Sequence, residues 1–243
     1  VKDYRSLGLA AQYRFEHDEA ESWFQRARAI VEENRDEETA ILVYHELGTV
    51  YHARYNYEEA DRWYMQALTL SDQLGKPEQM ALEFHYLGLM EQTRGLFYED
   101  AENWFQLALD KRQELGDIKG VGDESRQMGV LFHEQKNLEE AERWYRSAIE
   151  IFEQLEDLQR ISRTQGQLAM VEEERGNLTG ALEWAHRTYQ LAIDHDLPVL
   201  VQVKSHLARL RDSYGEDAFS QWWRGSTGGD PPTDLDVDTS TIL

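Results

Sequence analysis

The chain has no cysteine, no apolar run long enough to span a bilayer and no signal-peptide pattern. The missing cysteines exclude disulfides, thiolate nucleophiles and cysteine-based zinc sites, and they are compatible with a reducing cytosol, so a cytoplasmic location is expected. Basic residues are outnumbered, 25 Lys and Arg against 47 Asp and Glu, which leaves a formal net charge of −22. A surface this acidic repels phosphodiester backbones and anionic leaflets, so neither nucleic acid nor membrane is an expected partner. Signatures of catalysis are missing too. There is no phosphate loop, HExxH or nucleophile elbow, and adjacent carboxylates are expected by chance among so many. Gly120-Val121-Gly122 lacks a third glycine and a preceding strand, and reads as a loop before a helix. No enzyme activity and no cofactor are expected of this segment.

What is present is a repeat. Leu7-Gly8, Leu47-Gly48, Leu87-Gly88, Met128-Gly129 and Leu168-Ala169 occupy one slot that recurs about every forty residues. An Ala follows each (Ala20, Ala60, Ala101, Ala141, Ala181), and three residues later a Trp (Trp23, Trp63, Trp104, Trp144, Trp184). A fainter copy starts at Leu207-Ala208. A fixed period of this size means a solenoid, in which each unit buries its apolar stripe only by stacking. The hydrophobic fraction of 41% suits such a stack, which buries stripes and not a globular centre.

Each unit reads as a helix pair, A then B. In the second, helix A spans about 37–54 with Ile41, Tyr44, Leu47, Gly48 and Tyr51 at three-to-four spacing. Helix B spans about 58–74 with Ala60, Trp63, Tyr64, Ala67 and Leu68 on one stripe. Asn56, Asn137 and Asn177 stand where a cap for helix B is needed, with Glu59 and Glu140 three residues on as in a capping box. Gly75 and Gly116 fit the left-handed residue that ends a helix. The third unit carries one extra residue near 95–98. Gly48 and Ala60 leave no bulk where A crosses B, and the tryptophans are expected to pack between units. Units are placed at about 1–36, 37–76, 77–117, 118–157 and 158–197, with a cap over 198–224. Trp222-Trp223 either seals that cap or meets a further domain.

On these residues the chain resembles the tetratricopeptide repeat (TPR). Tyr44, Leu47, Gly48, Tyr51, Ala60, Tyr64 and Ala67 carry the resemblance in the second unit. Phe84, Leu87, Gly88, Ala101, Phe105 and Ala108 do so in the third, and Met128, Gly129, Ala141, Tyr145 and Ala148 in the fourth. The first and fifth units depart from it, with Ala11 and Ala185 where aromatics belong. The unit is longer than the common 34 residues. It is similar to the long repeats of kinesin light chains and Pins, and to the C-terminal arrays of bacterial STAND ATPases and CHAT-protease partners.

The resemblance implies an all-α, right-handed superhelix whose helices A line a concave groove that takes peptides or partner helices. The slots that hold a C-terminal carboxylate in co-chaperone members contain Arg5, Leu9 and Glu46, so that clamp is not supported. The groove is expected to carry a ladder: Arg5, His45, His85 and Arg126 three residues before the slot, and Gln12, His52, Gln92 and His133 seven further on. Arg163, with Gln167 and Arg209, extends it. Such a ladder suits an acidic ligand, although Glu46, Glu91, Glu134, Glu173 and Glu174 could neutralise it. His45 and His52 lie ~10 Å apart along the axis, too far to share one metal ion.

From Gly225 the composition turns to Gly, Pro, Thr and Asp, which does not fold alone. This acidic tail could reach ~60 Å and lie in the groove of its own or a neighbouring copy, and Thr241-Ile242-Leu243 matches a PDZ ligand. The expected function is recognition of a protein or peptide by the docking or sensing region of a larger bacterial signalling protein. The entry into the repeat directly after Val1 reads as a piece of something longer. A stand-alone scaffold, a peptide-responsive regulator of the Rap type and a substrate-positioning accessory of an enzyme are the alternatives.

Overall fold

The computed structural model describes residues 1–95 and 98–235. Among the described residues there are twelve helices and no strand: α1 (Lys2–Tyr13), α2 (His17–Asn34), α3 (Glu37–Ala53), α4 (Tyr57–Gln73), α5 (Pro77–Arg94), α6 (Tyr98–Leu115), α7 (Ile118–Glu134), α8 (Leu138–Gln154), α9 (Leu158–Glu174), α10 (Leu178–Asp194), α11 (Leu200–Tyr214) and α12 (Glu216–Thr227). The odd-numbered helices are A, the even-numbered B. The chain forms two compact units, Val1–Glu124 and Ser125–Leu243. In the first, α1 to α6 each pack on the next. In the second, α8 to α12 do the same. This is the consecutive helix packing of a TPR-type solenoid.

The slot works by steric exclusion. A Cβ on Gly48 would stand 2.5 Å from the ring of Tyr64, and one on Gly88 2.6 Å from the ring of Phe105. Gly129 and Tyr145 repeat the arrangement at 2.5 Å in the second unit. Each aromatic is fully buried, with its ring in the space a side chain at the slot glycine would take. In the fifth pair both partners change together, to Ala169 and Ala185, both also fully buried. The departure from the pattern at Ala185 is therefore compensated: a smaller B residue tolerates a larger A residue.

The tryptophans stack on their own unit's helix A: Trp23 on Tyr4 at 5.6 Å and Trp104 on Phe84 at 5.9 Å between ring centroids. They also pack between pairs as expected: Trp63 is buried in one cluster with Phe24, Ala27 and Val31 of the preceding pair, and Trp104 packs against the cluster of Ala60, Tyr64 and Leu68. An arginine of the preceding helix B adds to this, Arg28 over Trp63 at 5.2 Å and Arg146 over Trp184 at 5.3 Å.

The caps form as expected in one half only. Asn56, Asn137 and Asn177 accept from the N–H groups of Glu59, Glu140 and Gly180 at 3.2–3.4 Å. The reciprocal arm of a capping box has no donor to receive, because the Asn56 and Asn137 N–H groups already bond the carbonyls of Tyr51 and Phe132 at 2.9 Å. Gly75 and Gly116 do adopt positive φ, but so do Phe15, Arg35, Tyr55, Lys136, Glu156 and Asp196 at other turns. Gly120-Val121-Gly122 is not a loop but the first turns of α7. Asp117 accepts from the Gly120 N–H at 2.9 Å, and a Cβ on Gly120 would strike Asp117 and Arg112. That glycine is kept for a close ion pair, not for a turn.

At the C-terminal end Trp223 is buried with Tyr189, Phe219 and Leu210, and Trp222 packs at its margin, so the pair seals the cap. The start of the tail folds back on it. Arg224 pairs with Asp230 at 2.8 Å, Lys204 with Asp234 at 2.5 Å, and Leu235 is 1% exposed within the same cluster. Leu96, Phe97 and the tail beyond Leu235, including Thr241-Ile242-Leu243, lie outside the described residues.

Candidate functional site

The ladder residues of the first unit are engaged by carboxylates of the next helix A. Arg5 holds Glu46 through Nε and Nη2 at 2.5–3.1 Å. His45 Nδ1 lies 3.0 Å from Glu83, and His85 Nδ1 2.9 Å from Glu124. Glu83 and Glu124 are fully buried, and Arg112 Nε donates to the second oxygen of Glu124 at 2.8 Å. Burial pushes the Glu83 carboxyl up despite its bond to His45. Of the second row, Gln12 donates to Thr49 Oγ1 at 2.8 Å, His52 Nε2 hydrogen-bonds Thr93 Oγ1 at 2.7 Å, and Gln92 is buried. These side chains tie helix A to helix A; they are rungs of structure whose charge is already matched.

The second unit differs at three positions. His133 keeps a carboxylate, Glu174 Oε1 at 3.2 Å. Arg126 does not, because the two α9 positions corresponding to Glu83/Glu124 and Glu46 hold Thr164 and Gln167. The α9 residue in register with Arg5, His45, His85 and Arg126 is Gly166, and on α11 it is Ser205. A glycine and then a small serine at this position on two successive helices A leave a cleft of about 470 Å³. One wall is Arg126, Ser162, Arg163, Gly166, Gln167 and Met170; the other is Leu197, Pro198, Val199, Ser205, His206 and Arg209. Among the described residues no Asp or Glu lines it, in a chain with 47 of them. Arg209 and His206 are held by Glu173, each at 2.9 Å. Arg126 and Arg163 carry no ion pair among the described residues. A second cavity, between α2, α3 and α4, is lined by Glu32, Asp36 and Glu37 with Arg35, and offers no comparable excess of cations.

Gly166 is unlike the slot glycines. A Cβ there would meet nothing within 4 Å, and its φ is not in the left-handed region. A mid-helix glycine costs about 1 kcal/mol relative to alanine, and here neither packing nor a turn requires it.

The family model for the MalT-like TPR region matches residues 8–227. The chain belongs to that family. A comparison with curated protein sequences finds no match. Among solved structures, this MalT-like TPR region is similar to BtubC (BKLC) from P. vanneervenii, at 22% identity over 80% of each chain, with a TM-score of 0.71. It is similar to a STAND protein with a tetratricopeptide repeat sensor from Pyrococcus horikoshii, at 20% identity and a TM-score of 0.74, over 87% of this chain and 33% of that one. It also resembles the Rap conjugation gene regulator of the plasmid pLS20, solved with the Phr* peptide, at 18% identity and a TM-score of 0.64 over 97% and 64% of the two chains. At these identities the likeness is one of fold.

Of the residues singled out from the sequence, the cleft brings together Arg126, Arg163, Gln167 and Arg209 and leaves out Arg5, Gln12, His45, His52, His85, Gln92 and His133. Gly166 and the Leu197-Pro198-Val199 segment were not anticipated. The readable signal was a rung position that switches from cation to glycine.

His206 gives the cleft a pH dependence. Burial, then the neighbouring Arg209, lowers its pKa, and the Glu173 bond only partly opposes this. The unfolded chain takes up this proton near 6.5, so stability present above that pH is lost as pH falls toward the lower folded value. Thermal melts at pH 7.5 and 5.5 should show a smaller drop in Tm for His206→Gln than for the unsubstituted chain. Equal drops would mean His206 does not titrate in this window.

Proposed function

We propose that this MalT-like TPR region is a docking module without catalysis of its own, which recognises an acidic segment of a protein or peptide through its helix A face, in the cleft between α7, α9 and α11. The single observation that carries this is a cleft with two guanidinium groups that, among the described residues, have no carboxylate partner, in a chain of net charge −22. Arginine forks favour carboxylates with paired, charge-assisted hydrogen bonds. The STAND neighbour is described as having a TPR sensor, and the pLS20 neighbour was solved with a peptide; both support a sensing or docking role.

The test is selection from a randomised dodecapeptide library on the immobilised chain, followed by titration of the enriched peptide. Acidic peptides should be enriched. Arg126→Ala with Arg163→Ala should weaken binding ~100-fold, about tenfold for each lost charge-assisted contact, and flatten its salt dependence. Arg5→Ala, whose guanidinium is already spent on Glu46, should leave affinity unchanged. Enrichment indifferent to the double substitution would reject the reading.

A second reading is favoured by one contact. Val203 lines the cleft and also packs in the cluster that buries Leu235, beside the Lys204–Asp234 pair. The acidic tail thus starts next to the cleft, and on this reading it is an in-chain competitor. A chain ending at Leu235 should then bind the selected peptide more tightly; equal affinity rejects the competitor.

A further inference from the structure

One register of contact recurs between successive helices A of the first unit, and it identifies the neighbour of Arg126. The residue three before the slot on one helix touches the residue two before the slot on the next. Arg5 pairs with Glu46 at 2.5–3.1 Å, and His45 meets Tyr86 edge-on with ring centroids 4.6 Å apart. At the step from α7 to α9 these two positions hold Arg126 and Gln167, and both line the cleft. Arg163 stands four residues before Gln167, on the same face of α9, and lines the cleft too. Gly166 lies between them and adds no side chain. In register, this step repeats the Arg5–Glu46 arrangement with one change: the carboxylate is replaced by its amide isostere. Arg126 and Arg163 have no carboxylate partner among the described residues, whereas His206 and Arg209 are already held by Glu173.

We propose that Gln167 sets the specificity of the cleft, and that Arg126, Gln167 and Arg163 form a subsite for one carboxylate of the ligand. That carboxylate takes the place which the Glu46 carboxylate holds beside Arg5. The inference rests on the acidic-ligand reading above. A glutamate at position 167 would neutralise the cleft arginines from within the chain, as Glu46 neutralises Arg5. Glutamine has the same length and shape and carries no charge, so the guanidinium groups stay available. Its amide nitrogen also donates where a carboxylate could only accept. A ligand carboxylate has two oxygens with about four lone-pair sites, enough for two arginine forks and one amide. The exchange of acid for amide at this one step separates a structural rung from a receptive one.

Titration of a peptide enriched from the library, together with thermal melts of the free chain, tests this. Gln167→Glu should weaken binding ~100-fold, as much as loss of both arginines. It should also raise Tm by about 2–4 °C, because it forms within the chain the pair that Arg5 makes with Glu46. Gln167→Met keeps the length, removes the amide and should weaken binding ~10-fold. Glu46→Gln makes the opposite exchange in the first unit; it should lower Tm and leave peptide affinity unchanged. A more stable fold with a weaker site is not expected of a glutamine that serves structure alone. Undiminished binding in either Gln167 variant overturns the assignment. A lower Tm in Gln167→Glu overturns it too, since the introduced carboxylate would then have no arginine to meet. Weaker binding in Glu46→Gln would mean that the effect travels through the fold and not through the cleft. If the arginine double variant loses binding while both Gln167 variants keep it, acid recognition stands and Gln167 has no part in it. If the double variant binds normally, the functional reading itself fails.

Discussion

Arg112→Ala should destabilise the protein by about 3–5 kcal/mol in urea unfolding, because it strands a buried carboxylate. Glu124 is fully buried, and its oxygens are met by Arg112 Nε at 2.8 Å and His85 Nδ1 at 2.9 Å. Arg112 also spans to Asp117 at 2.8 Å, so one guanidinium joins α6 to the start of α7. Burial works against its charge, yet Glu124 and Asp117 outweigh burial and hold its pKa above the ordinary arginine value. Removing it leaves one imidazole to offset a carboxylate that water cannot reach. Glu124→Gln should restore much of the loss in the Arg112→Ala background, since the cost lies in the unmatched charge. A loss under about 1 kcal/mol for Arg112→Ala would place the pair among surface contacts.

Phe105→Ala should cost about 3–5 kcal/mol, and Gly88→Ala about 1–3 kcal/mol. The two should not add. The alanine methyl at position 88 would stand 2.6 Å from the Phe105 ring, and without that ring the clash is gone. In a double-mutant cycle Gly88→Ala should therefore be neutral or stabilising once Phe105 is Ala, also gaining helix propensity. The fifth pair already presents this arrangement as Ala169 and Ala185. Strict additivity would mean that the slot glycine is kept for some reason other than the ring.

The solenoid, its helix pairs and their caps were legible because each is a local property repeated along the chain. Glycine before an aromatic, asparagine before an acidic turn and apolar residues at three-to-four spacing need no distant information to be read. The site was less legible. Arg5, His45, His85 and Arg126 look alike in sequence, and two of them meet a carboxylate at one register, one at another: Glu83 and Glu124 five residues before their slots, Glu46 two before. Arg126 finds Thr164 and Gln167 at those registers. Capping boxes were misread for a similar reason, since the asparagine N–H had already been taken by the preceding helix.

The amino-acid order alone therefore determined the fold class, the period and which helix A positions carry cations, since these follow from spacing within one unit. Which of those cations is free, and where a missing side chain becomes a cavity, was decided only by tertiary structure. The reason is physical: a charge is neutralised by what lies within a few ångströms of it in space, and on stacked helices that neighbour comes from a residue about forty positions away.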